Sequence, residues 1–150
     1  MITLEVQSPS TSNLLTLASS VPIGQSAIVH TEGRNDMATS QILGFHWVVK
    51  DPDGLVVEDY EDWTLFGVAP RDTEERRTPR FDLDKTGTYT LKADLLMNPD
   101  NPVVVDSYEG DLCTVTTELP PEYELIQHTI YHFAYLYDGD VEVSTATFKT

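Results

Sequence analysis

The stretch FHWVVKDPDGLVVEDYEDW, Phe45 to Trp63, decides the fold class. Phe45, Trp47 and Val49 alternate with His46, Val48 and Lys50, the two-residue period of a strand with one buried face. Asp51-Pro52-Asp53-Gly54 then meets the demands of a type I turn, with Asp first, Pro second and Gly fourth. "LVVED", Leu55 to Asp59, returns as the second strand of a hairpin. Six carboxylates fall between Asp51 and Asp62, with no basic residue among them. A calcium loop of the helix-loop-helix type needs ligands at alternating positions and Gly at the sixth. Counted from Asp51, Gly54 stands fourth, and Leu55 and Val57 occupy ligand positions. An acid–base pair needs two convergent carboxylates. On a strand Glu58 and Asp59 point to opposite faces. The stretch therefore reads as a hairpin with an acidic outer face and Trp47 in the core.

The same period recurs along the chain. "ITLEV" (Ile2 to Val6), "SAIVHT" and "GTYTLKADLLM" alternate; in the last, Tyr89, Leu91, Ala93 and Leu95 point inward and Thr88, Thr90, Lys92 and Asp94 outward. "PVVVDSY" and "DLCTV" make a further strand, with a bulge expected at Gly110. "SSVPIGQ", "DKTG", "NPDNP" and "ELPPE" read as turns or linkers. "TEERRT" has helical composition but is too short for a helix. Short strands at roughly 8–12-residue spacing predict an all-β sandwich. The two prolines of "ELPPE" cannot continue a ladder. They set a boundary between a sandwich at 1–117 and, at 118–150, a linker followed by a β-hairpin turning at Asp138-Gly139.

Two of these stretches carry a resemblance. "HWVVKDPDGLVV" and "FDLDKTGTYTLKADL" together resemble a bacterial or viral immunoglobulin-like β-sandwich, of the kind found in adhesion-type modules and virion accessory domains. The resemblance spans roughly residues 20 to 117. It implies an antiparallel sandwich in which Trp47 fills the core, Tyr89 closes a corner near the start of its strand, and Leu91 is buried beside it. The paired cysteines of antibody domains are missing: Cys113 is the single cysteine. It lies in an alternating apolar stretch and reads as a small buried hydrophobe. The fold hosts many unrelated functions, so function must come from the sites.

Charge excludes several partners. The chain has 25 acidic residues against nine basic ones, a net charge of −16, and no Lys or Arg between residues 93 and 148. Such a surface repels nucleic acid and anionic lipid. No apolar run approaches the ~18 residues of a membrane span, and the N-terminus lacks the basic start and apolar core of a secretory signal. His128 and His132, four apart, would share a helix face suited to zinc. In the strand-rich "TIYHFAYLY" they stand ~13 Å apart, too far for one ion. No nucleophile motif or phosphate loop is present. The expectation is no catalysis, no metal and no cofactor.

Two stretches are the expected contact surfaces. "RDTEERRTPR" places Arg71, Arg76, Arg77 and Arg80 together in an otherwise acidic chain. In the C-terminal segment Tyr131, Phe133, Tyr135 and Tyr137 line one strand face, opposite Ile130, Ala134 and Leu136. Tyrosine combines an apolar body with a polar tip and is enriched at interfaces. The expected function is a structural virion component, a capsid decoration or tail accessory protein, that is lattice-bound or homo-oligomeric through contacts with coat protein or sibling subunits. The alternative is an extracellular adhesion or glycan-binding module, with Tyr60 and Trp63 as an aromatic platform.

Overall fold

The computed structural model describes residues 1–8 and 11–117. The Pro-Pro boundary, His128, His132 and the aromatic run Tyr131 to Tyr137 lie outside the described residues. The described chain forms ten strands and no helix: β1 (Ile2–Ser8), β2 (Thr11–Leu15), β3 (Ser19–Pro22), β4 (Gln25–Arg34), β5 (Leu43–Lys50), β6 (Val56–Trp63), β7 (Thr73–Arg77), β8 (Phe81–Leu83), β9 (Gly87–Met97) and β10 (Val103–Thr116). One sheet runs β2-β1-β4-β7, with β8 also on β4; the other runs β3-β10-β9-β5-β6. All pairings are antiparallel except β3 on β10. This is the immunoglobulin-like β-sandwich that the hairpin and the Gly-x-Tyr-x-Leu stretch led one to expect.

The core follows the period-2 pattern. Phe45, Trp47, Val49 and Tyr89 are fully excluded from solvent, and Leu91 nearly so. They pack against Leu4, Val6, Ala27, Val29 and Leu83 of the facing sheet. Trp47 is the keystone. Its ring stacks between Phe45 and Tyr60, at centroid distances of 5.9 and 6.0 Å. Its indole N–H crosses the sandwich to the Thr31 hydroxyl at 2.8 Å, so its one polar atom is satisfied in the core. Tyr89 closes its corner: its hydroxyl accepts the Lys85 N–H at 3.2 Å and donates to Asp84 at 3.3 Å.

The DPDG turn forms as its residues demand. The Gly54 N–H donates to the Asp51 carbonyl at 2.9 Å, and the Asp51 N–H to Leu55 at 2.8 Å. Gly54 sits at φ +81°, a left-handed conformation that suits glycine. The Asp51 carboxylate is only 4 % exposed. One oxygen accepts the N–H groups of Asp53 and Leu55, and the other pairs with Lys85, which also reaches Asp53. The Lys85 ammonium, helped by those N–H groups against burial, holds the Asp51 carboxyl below its ordinary range.

Two readings change and one is settled. "SSVPIGQ" is more than a turn: Ser19–Pro22 is an edge strand, and its ladder with β10 places Pro22 at the strand's end. "TEERR", too short for a helix, forms the strand β7 on the outer half of β4, which settles it as strand and not loop. Between β7 and β8, Pro79 breaks the strand, and Thr78 bridges the gap. Its N–H donates to the Val29 carbonyl, and its hydroxyl accepts the Val29 N–H, both at 3.0 Å. β10 is irregular at Val104/Asp106 and Asp111/Cys113, whereas Gly110 stays in register with Leu91.

Candidate functional site

Thr64 and Val68 are the posts of a short loop that leaves β6. The Thr64 N–H donates to the Leu43 carbonyl at 2.9 Å, and its hydroxyl accepts the Leu43 N–H at 3.1 Å. Val68 exchanges two backbone bonds with Gln41, at 2.8 and 3.0 Å. Beneath them the buried Asn35 side chain donates to the carbonyls of Thr39 and Val68 and accepts the Met37 N–H. Between these posts Leu65 and Phe66 are 86 % and 83 % exposed. A pinned loop that presents two bulky apolar side chains to water leaves them unfavourably hydrated in isolation, and contact with a partner relieves this by desolvating them. Below this tip, Asp62, Trp63, Leu65, Glu75, Arg76 and Arg77 line a shallow groove.

The four arginines of the expected patch do not share one face. Arg76 faces inward, because it stands opposite Thr31, while Arg77 stands opposite His30 on the outer face. Arg76 is half-buried and joins the two sheets at their flank: its Nε lies 3.2 Å from Asp62 of β6, and an Nη pairs with Glu74. That commits Arg76 to holding the sandwich closed, which corrects its reading as a free contact residue. Arg71 sits before β7 at φ +69°, and Arg80 is exposed in the break after it. Arg77 remains exposed at the groove.

The aromatic platform also changes. Tyr60 stands opposite Trp47 on the core side, and Trp63 stands opposite Gly44 on the outer face. The two rings lie on opposite sides of β6. A Cβ on Gly44 would fall 2.7–2.8 Å from three atoms at the centre of the Trp63 indole, so the ring lies flat on the β5 backbone. Its N–H donates to Glu61 at 2.7 Å.

Register places three rows across the outer face of this sheet. Trp63, Gly44, Leu96 and Val104 make the first. Glu61, His46, Asp94 and Ser107 make the second, and Asp59, Val48, Lys92 and Glu109 the third. Asp94 points outward, as its place in the alternation predicts. It is on that face but only 7 % exposed. Burial pushes its carboxyl up, but hydrogen bonds from Ser107 and Lys92 outweigh this and hold it below the ordinary range. His46 is set between Asp59, at 2.9 Å from Nε2, and Asp94, at 3.8 Å from Nδ1. On the opposite sheet His30 lies between Glu5 and Glu75, at 2.8 and 2.9 Å.

Glu58 and Asp59 do not converge as an acid–base pair. Glu58 stands opposite Val49 and Asp59 opposite Val48, so they lie on opposite sides of the sheet. Burial is the main cause that raises the Glu58 carboxyl. Burial likewise pushes the Cys113 thiol up to about 12, leaving it protonated at neutral pH.

The apolar tip escaped sequence reading. Its signal was there: "TLFGVAP" puts two bulky apolar residues past the end of an alternating strand and just before Gly67 and Pro70. Adjacent apolar residues in such a loop cannot share one buried face.

No protein-family model matches the chain, and no curated protein matches it in sequence. Among solved structures it is similar to a calcium binding mutant of Bacteroides uniformis beta-glucuronidase 2, at 12 % identity and a TM-score of 0.52, over 73 % of this chain and 13 % of that one. It is similar to a putative beta-galactosidase from Bacteroides fragilis at 13 % identity and a TM-score of 0.50, over 74 % of this chain and 16 % of the other. It also matches the C-terminal domain of wzt at 14 % identity and a TM-score of 0.52, over 77 % of this chain and 72 % of that domain. The chain thus spans about an eighth of the glucuronidase, and at these identities the likeness is one of fold: an immunoglobulin-like β-sandwich.

Proposed function

We propose that this chain is a non-catalytic interaction module that docks on protein neighbours through the Leu65–Phe66 tip. The observation that carries the reading is the near-complete exposure of these two residues between backbone anchors at Thr64 and Val68. A flexible loop would lose entropy on docking; a pinned tip loses less. Separated, opposed carboxylates and a buried protonated thiol support a role without catalysis. The net charge of −16 suits a partner with a cationic surface and disfavours nucleic acid and anionic lipid.

Within that reading, the neighbours are coat-protein or sibling subunits of a virion, and the chain is a capsid decoration or tail accessory protein. The support is the resemblance of small immunoglobulin-like domains to such accessory proteins, together with the acidic outer surface. Quantitative mass spectrometry of purified particles tests it. The expected result is a fixed ratio of this chain to a coat protein; a variable trace amount refutes it. A second reading, an extracellular glycan-binding or adhesion module, is favoured by one observation: the Trp63 indole laid flat on the sheet.

A further inference from the structure

We infer that the outer face of the β10-β9-β5-β6 sheet binds a neutral pyranose sugar, stacked on Trp63 and hydrogen-bonded by the row beneath it. This deepens the second reading, rests on it, and does not depend on the Phe66 tip. Three observations carry it. First, β5 has a glycine where the indole crosses it, which turns the ring parallel to the sheet. A flat ring is the orientation that meets the C–H face of a pyranose; an edge-on ring does not. Second, the adjacent row is made entirely of hydrogen-bonding side chains: Glu61, His46, Asp94 and Ser107. It lies two residues further along each strand, about 7 Å away, which is roughly the span of a sugar ring.

Third, that row is fixed before any ligand arrives. Asp94 is held by Ser107 at 2.6 Å and by Lys92 at 3.2 Å, and His46 by Asp59 at 2.9 Å. Preorganised polar groups lose little freedom on binding. Glu61 and Asp94 offer carboxylate acceptors to the donating O–H of a sugar hydroxyl, which can itself accept from a donor in the same row. Glu61, Asp59, Asp94 and Glu109 outnumber Lys92 on this face and Arg77 at the adjoining groove, so uronates, sialosides and sulfated sugars are disfavoured. The ligand class is neutral hexose or N-acetylhexosamine chains. A peptide strand is disfavoured, because strands add to sheet edges and not to faces.

The test titrates the full chain with cellohexaose, maltohexaose, mannohexaose and chitohexaose, with hexagalacturonate as the anionic control, and follows the two indole N–H signals by NMR. The expected result is that at least one neutral hexaose shifts the Trp63 signal and leaves the buried Trp47 signal in place. Trp63→Ala should then weaken binding by about tenfold and Trp63→Tyr by less, since a ring is kept. Ser107→Ala, which leaves the platform intact, should weaken binding as well. If neutral hexaoses bind but Trp63→Ala and Ser107→Ala bind as tightly as the parent, the assignment of this face falls and the glycan-binding reading stands. Binding of hexagalacturonate alone has the same consequence. Binding of none of the five overturns both.

Discussion

Replacing Gly44 with Ala probes the packing on which the Trp63 face depends. The added methyl would sit 2.7 Å from Cε2 and Cε3 and 2.8 Å from Cδ2 of the indole, closer than real methyl contacts come. The ring must lift, because the β5 backbone is fixed between β6 and β9. Overpacking of this kind costs about 1–3 kcal/mol. Replacing a strand glycine with alanine returns about 0.5–1 kcal/mol of backbone entropy. The net loss is therefore up to about 2.5 kcal/mol, and the melting temperature should fall by up to about 10 °C at ~4 °C per kcal/mol, with the ring displaced in either case. The assay is thermal unfolding by circular dichroism, paired with the NMR shift of the Trp63 indole N–H. Adding Trp63→Val to Gly44→Ala should remove most of the penalty, since the clashing ring is gone. An unchanged or raised melting temperature, with the Trp63 signal in place, would falsify the flat-ring geometry.

Further expectations concern the frame. Thr78→Val leaves the buried Val29 N–H without its acceptor and should destabilise by about 1–3 kcal/mol, read as a lower urea midpoint with unchanged slope. Glu5 is held at about 2, from an ordinary 4.5, by hydrogen bonds from Ser12, Gln7 and His30. Its folded value is depressed, so its contribution is complete above pH 4.5 and lost as the pH falls toward 2. Glu5→Gln should flatten stability against pH across that window, at a cost near neutrality of about 1 kcal/mol after allowance for solvent screening. Lys85→Met removes the partner of the Asp51 carboxylate, and the melting temperature should fall most near neutral pH and least in acid, where Asp51 is protonated.

Period-2 alternation made much of the fold legible. Phe45, Trp47 and Val49, and Tyr89, Leu91 and Ala93, announce their buried faces because each strand lies against one core. DPDG announces its turn because Pro and Gly allow few alternatives. β2 and β3 were not legible: their Ser and Asn residues have weak strand preference, and Pro22 and Gly24 read as punctuation. β7 was hidden by its own charges, since Glu74, Glu75, Arg76 and Arg77 show no apolar alternation. The rows on the outer face could not be read at all. Trp63, Gly44, Leu96 and Val104 are up to 60 positions apart, and only strand register brings them into line. Arg76 shows the same limit from the other side: its composition suggested a free cation, and its register turns it inward to Asp62.

The central claim is that Phe66 meets a protein neighbour. It is tested most directly by placing a photo-crosslinking benzoylphenylalanine at position 66 of the full chain, with the same group at the exposed Asp82 as control, in assembled particles. The account predicts one discrete adduct, to a coat or sibling subunit, from position 66 and none from position 82. No adduct from position 66, or the same adducts from both positions, would contradict it.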